Sequence, residues 1–498
     1  MTEPCDLTAV EARRLIGQRR LSPVELLESC VKRIEAVNPA VNAMTAMDVD
    51  AARATARDAE AAVMRGDHLG ALHGLPLGIK DLEETKGLRT TWGSPLFANH
   101  IPTRDEGMVT NLRNAGGVVL GKTNVPEFGL GANSRNRVYG ATGNAFDPTK
   151  NAAGSSGGSA VALATNMVPL ATGSDTGGSL SNPAAFNGIV GYRPSPGLVP
   201  HERRGHGWNP LSVLGPMARN VPDLCLMLSA MASDEAGDPL AYTLHARTVR
   251  GEPALFHPPR AIDLSTIKLA FTEDFGQALV EQVIRRKFLA IVEACRPLFA
   301  RVAHATPDVS GGDEAFEVLR AVGAVAAHAE KVRKTPELCG PNVHANVEEG
   351  LRYGIEDVGR ALTRQTQIYR GFQAFFAEHD VLITPAITTS PRSWRELFPS
   401  EIDGQPTRTY FHWLAMAYYV TLTGHPAISL PVGLDEKGMP FGLQIVGPRG
   451  GDAFVLGVAA ALEEAFAGDA ALARPVPDIA KLKAAPPIST MPEFMTFG

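Results

Sequence analysis

VPLATGSDTGGSLSNPAAFNGIVGY, residues 168–192, holds the pattern on which the fold turns. VPLAT (168–172) and GIVGY (188–192) have the apolar character of short buried strands, and PAAFN (183–187) between them reads as a helix. Strand, helix and strand in succession point to an α/β layer architecture with a largely parallel or mixed sheet. The loop between strand and helix, GSDTGGS (173–179), is made of small residues and leaves the Ser179 hydroxyl almost without side-chain cover.

The same alternation extends outward. LPLGIK (75–80) reads as a buried strand ending at Lys80, MVTNLRNAGG (108–117) as a helix with a glycine stop, VVLG (118–121) as a strand and AVALAT (160–165) as a helix. Further on, ALVEQVIRRKFLAIVEAC (278–295) is an amphipathic helix. DVLITPAI (380–387), AISLPVGL (427–434) and FGLQIVG (441–447) read as strands, the last after a turn at Glu436–Pro440. The first sixty residues read as helices, one of them opened by Ser22, Pro23 and Glu25 as a capping box with proline at its first position. No fixed-period repeat and no long linker appears. The expectation is one large α/β domain, 1–498, with a central mixed β-sheet covered by helices. It divides into a helical region 1–65, a core 70–195, a loop-rich excursion 196–265, a further α/β stretch 266–470 and an extended C-terminal arm 471–498.

Composition narrows the function classes. A net charge of −6 without a long basic run argues against a nucleic-acid partner. The start MTEPCDLTAVEARRL has no apolar signal core, and AVALATNMVPLAT is too short to cross a bilayer. Five scattered cysteines form neither a metal pattern nor a disulfide framework, so a reduced, cytoplasmic setting without metal or cofactor is expected.

Two motif matches fail on context. Residues 116–123 fit G-x-x-x-x-G-K-T, but Val118, Val119 and Leu120 suit a buried strand better than a phosphate-cradling loop. In HERRGH (201–206) the histidines are five positions apart, so they diverge on a helix, and the stretch reads as a polar loop.

AGSSGGS (153–159) and GSDTGGS (173–179) each precede a predicted helix. Helix starts present unpaired N–H groups and the positive dipole end, and glycines let a backbone approach a substrate closely. A serine in such a loop can sit beside amides that stabilise an oxyanion, but it needs a base. No G-x-S-x-G elbow and no histidine lies in either loop; a Ser-His-Asp arrangement stays open, and Lys80 is the other candidate base.

These residues resemble the amidase signature family. The resemblance runs through GLPLGIKD (74–81), GKTNVPEFG (121–129), AGSSGGSAVALA (153–164), GSDTGGSLSNPAAFNGIVGYRPS (173–195), GPMARNVPD (215–223) and GHPAISLPVG (424–433), in family order. It implies the amidase signature fold, with Ser179 as nucleophile, Ser155 as bridging serine after a cis Gly154–Ser155 bond, and Lys80 as base. It further implies an oxyanion hole at the backbone amides of Thr176, Gly177, Gly178 and Ser179. Ser156, Ser159 and Asp175 are expected to hold that geometry in place.

Family members commonly carry arginine two positions after the nucleophile, where this chain has Ser181. Serine supplies neither charge nor fork, which argues against acidic substrates and leaves room for neutral amides, anilides, carbamates or esters. Gly131, Ala132, Asn133 and Ser181 are the expected substrate contacts, and RTYFHWLAMAYYV (408–420) lines a pocket or packs in the core. The expected function is a serine amidohydrolase acting on a small-molecule amide with water, without nucleic acid or membrane, with a homodimer left open. A glutaminase subunit of an amidotransferase and a non-catalytic binding protein are the competing readings.

Overall fold

Apolar runs of four to eight residues pair edge to edge into a sheet of 11 strands in the computed structural model, which describes residues 3–234, 236–241 and 255–495. In chain order they are β1 (Met44–Met47), β2 (Pro76–Lys80), β3 (Val118–Thr123), β4 (Leu170–Asp175), β5 (Val190–Arg193) and β6 (Val213–Ala218). They continue as β7 (Lys268–Phe271), β8 (Arg301–His304), β9 (Val381–Pro385), β10 (Ala427–Leu434) and β11 (Pro440–Val446). Their spatial order is β1-β3-β2-β4-β6-β5-β10-β11-β9-β7-β8, a mixed sheet flanked by helices. It matches the expected fold class.

The parallel trio β3-β2-β4 positions the site. Leu77 lies opposite Leu170 and Gly78 opposite Ala171, so the carboxyl ends of β2 and β4 open side by side. Ligands of open α/β sheets bind outside such ends. Every residue of β2 and β3 is buried, the signature of strands covered on both faces. That burial also disposes of the phosphate-loop match, because Gly121, Lys122 and Thr123 lie inside β3.

The N-terminal capping box forms as read: Ser22 Oγ accepts from Val24 N at 3.0 Å, and Ser22 N donates to Glu25 at 3.1 Å. Three expectations need correction. The helical region 1–65 contains β1, which pairs antiparallel with β3 at the sheet edge. Part of the excursion 196–265 lies outside the described residues, but its centre is not loop: β6 sits mid-sheet between β4 and β5, followed by the helix Val221–Met231. Gly215 is what admits β6 there, since a Cβ on it would lie 2.2 Å from Tyr192 O. The C-terminal arm also carries a short helix, Ile479–Ala484.

Candidate active site

Lys80 closes β2 and is fully buried. Its Nζ lies 2.8 Å from the hydroxyls of Ser155, Ser156 and Ser174, and 3.3 Å from Ser174 O. Ser155 follows a cis Gly154–Ser155 peptide bond in the loop leading into the buried helix Gly157–Ala164. Proton counting gives this cluster its chemistry. An ammonium has three N–H groups to donate, whereas a neutral amine has two and a lone pair. With Ser156 and Ser174 accepting two hydrogens, the lone pair is free to take the Ser155 proton. Burial strips water from the amine and lowers its pKa to about 8, against the opposing charges of Glu83 and Asp175.

Ser179 is half-buried in the β4–helix loop, and with Ser155 it lines a cavity of about 750 Å³. Its hydroxyl makes no hydrogen bond among the described residues. The loop is clamped by Asp175, whose carboxylate accepts from Gly178 N at 3.0 Å and Leu180 N at 2.8 Å. Arg193 pairs with the same carboxylate at 2.9 Å, and both partners are buried. The Gly178 amide is therefore already occupied, which corrects the four-amide oxyanion hole. The amides of Thr176, Gly177 and Ser179 have no protein acceptor among the described residues. Gly178 itself is required: its φ is +104°, and a Cβ there would lie 2.4 Å from Asn182 Nδ2.

Of the expected substrate contacts, only Gly131 lines the cavity. Ala132 and Asn133 are buried behind the wall, Asn133 donating to Trp394 O at 2.9 Å and Glu396 O at 2.8 Å. Ser181 is the first residue of the helix Ser181–Asn187, buried, with its hydroxyl donating to Gly178 O at 3.4 Å. The segment 408–420 divides: Tyr410, Phe411 and Leu414 face the cavity, whereas the buried Tyr418 and Tyr419 each donate to Asp313 at 2.6 Å. Ser159 braces the floor by donating to Thr172 O at 2.8 Å.

Sequence reading missed much of the cavity wall. Trp92, Phe97, Phe128 and Phe316 supply aromatic surface, contributed by segments far apart in the chain. The rejected HERRGH stretch is no helix, but Arg203 and Arg204 line the cavity and pair with Glu84 and Asp238. The density of charge in that stretch was the one available signal. Arg320, also on the wall, pairs with Glu349 at 2.7 Å. Among the described residues, the group of acids and cysteine close enough to hold a metal is Glu3, Cys5 and Asp6, and Arg33 pairs with both carboxylates at 2.8 and 3.0 Å.

A buried lysine bonded to serines beneath a cavity, with free loop amides beside it, defines a hydrolase of the serine type. The Amidase family model matches residues 25–456, and the chain belongs to that family, hydrolases of amide C–N bonds whose characteristic triad is Ser-cisSer-Lys. An acylamidase of Rhodococcus erythropolis is 32% identical over 464 residues, spanning 92% of this chain and 95% of that protein. A glutamyl-tRNA(Gln) amidotransferase subunit of Thermus thermophilus is 34% identical over 478 residues, spanning 93% of this chain and 98% of its own. Among solved structures, a bacterial aryl acylamidase superposes with a TM-score of 0.85 at 25% identity, covering 98% of this chain and 99% of its own. Among the described residues, no helix is long and apolar enough to cross a membrane.

Proposed function

We propose that this chain hydrolyses neutral amides bearing an aromatic or bulky apolar group, with Ser179 as nucleophile, Ser155 as relay and Lys80 as base. The observation that carries the reading is the buried Lys80 amine 2.8 Å from Ser155 Oγ, at the base of a cavity that Ser179 also lines. Neutral Lys80 takes the Ser155 proton as Ser155 takes that of Ser179, and the Ser179 oxygen attacks the carbonyl carbon. The carbonyl oxygen gains negative charge and is held by the free amides of Gly177 and Ser179, with Thr176 beside them. The C–N bond then breaks as the stored proton returns to the leaving nitrogen. Water hydrolyses the acyl-enzyme by the same relay in reverse, releasing the acid.

Aromatic walls favour an aryl or arylacyl group. Among the described residues each arginine on the wall is already paired with a carboxylate, and Ser181 carries no charge. The one lysine on the wall among them, Lys331, donates to Ala327 O and lies over the Phe128 ring, so no guanidinium fork is free for a substrate carboxylate. Glutamine needs such a partner, which disfavours the amidotransferase reading despite the comparable sequence identity. The deciding experiment compares kcat/KM for phenylacetyl and benzoyl anilides with ammonia release from glutamine. Turnover of anilides at least a hundredfold more efficient is expected. Preference for glutamine would overturn the substrate assignment.

A further inference from the structure

Glu83 lies three residues past Lys80 and has no part in the relay. Its side chain is 1% exposed, yet it lines the same cavity as Ser155 and Ser174. The turn binds it to the base: Glu83 N donates to Lys80 O at 3.1 Å. The Thr172 hydroxyl links the backbone of Lys80 to the Glu83 carboxyl, accepting from Lys80 N at 2.8 Å and donating to Glu83 Oε2 at 3.3 Å. The other carboxyl oxygen, Oε1, is buried without a hydrogen-bond partner among the described residues. A buried, half-unsatisfied carboxyl is costly, so its presence beside a working lysine calls for a reason.

The second buried lysine does not supply that reason by direct pairing. Lys122 Nζ donates to Glu83 O, its backbone carbonyl, and to Thr85 Oγ1 at 2.9 Å, leaving the carboxyl without an ion pair among the described residues. In a dry region an uncompensated charge acts strongly on its neighbours. We propose that Glu83 is a positioning residue: its buried carboxylate, on the same cavity as the serines that hold Lys80 Nζ, sets the proton affinity of that amine. The proposal rests on Lys80 being the base. Burial raises the Glu83 carboxyl above the usual carboxylate range, and Lys80 and Lys122 oppose that rise, so carboxyl and amine exchange charge over overlapping pH. The other charges facing the pair are Asp81 and Glu106 on the Glu83 side and Asp175 with its partner Arg193 on the Lys80 side.

The test is the pH dependence of kcat/KM on a neutral anilide for the wild type, Glu83→Gln and Glu83→Asp. Removing the carboxylate lowers the Lys80 pKa, so the acid limb of Glu83→Gln is expected to move down by about one pH unit, with the plateau about tenfold lower because the base is weaker. Glu83→Asp is expected to restore much of the limb. A lower rate with the acid limb unmoved would assign Glu83 a merely structural role and overturn the proposal. Should Glu83→Gln not fold, the wild type carries the test. NMR titration of its labelled lysine ε-carbons is expected to show Lys80 with two inflections, its own and that of Glu83, and a single inflection overturns the coupling. Near-normal activity in Lys80→Met, or a wild-type profile with no acid limb, would instead refute the base assignment on which the proposal stands.

Discussion

Gly178 donates its backbone N–H to the Asp175 carboxylate at 3.0 Å, so the residue next to Ser179 spends its amide on holding the loop. Asp175 also takes the Leu180 amide and the Arg193 guanidinium, and this one side chain fixes both ends of the Ser179 turn. Asp175→Asn keeps the size but leaves the buried Arg193 without its counter-charge. Stability is expected to fall by about 3–5 kcal/mol in chemical denaturation. A loss under roughly 1 kcal/mol, against that same expectation, would show the clamp to be dispensable.

Lys80 must be neutral to accept a proton, and burial brings its pKa to about 8. Below that value each pH unit removes about nine-tenths of the competent base. For a substrate that does not itself titrate, kcat/KM is therefore expected to climb about tenfold per unit toward pH 8 and then level off. A flat profile between pH 6 and 9 contradicts this.

Asp313 ties the helix Gly312–Lys334 to the aromatic segment beside the cavity by accepting from Tyr418 and Tyr419 at 2.6 Å. Burial pushes its carboxyl up, but the His412 imidazole 3.8 Å away and hydrogen bonds from both tyrosines outweigh that and bring it down to about 2. A carboxylate held below its unfolded pKa stabilises the fold above the unfolded value, and that contribution is lost as pH falls toward the folded one. Asp313→Asn is expected to cost roughly 2 kcal/mol at neutral pH, a penalty that shrinks between pH 4 and pH 2. Equal penalties at pH 7 and pH 2 count against the assignment.

Ser181 sits behind the wall in packed space, so an arginine there has to push against the Gly178 loop. Ser181→Arg is expected to cost about 1–3 kcal/mol of stability by overpacking and to reduce kcat/KM for bulky neutral amides more than for small ones. Identical substrate profiles before and after the change would make the position irrelevant to selection.

How much of this was legible in the chain depends on the range of the forces involved. Lys80, Ser155 and Ser179 stand in blocks that resemble the family's, while the residues alone left the base open between Lys80 and a histidine. The structure brings Lys80 Nζ within 2.8 Å of Ser155 Oγ and sets Ser179 on the same cavity as Ser155. β6 was hidden because Gly215 and Pro216 look like loop residues; in the sheet Gly215 allows close approach to the β5 backbone and Pro216 lies opposite Thr172 of β4, which sequence periodicity does not encode. β1 escaped notice as four residues between two long helices. The cavity wall was the least readable part. Phe128, Phe316 and Phe411 meet only through tertiary packing, and the occupied Gly178 amide depends on where one carboxylate turns.

The oxygen of residue 179 as the atom that carries the acyl group is tested most directly by rapid acid quench of turnover on an activated anilide, followed by peptide mass mapping. The account predicts the acyl mass on the peptide containing Ser179, and neither adduct nor measurable turnover in Ser179→Ala, a loss of about 10⁴-fold or more. An adduct on another residue, or near-normal turnover in that variant, would contradict it.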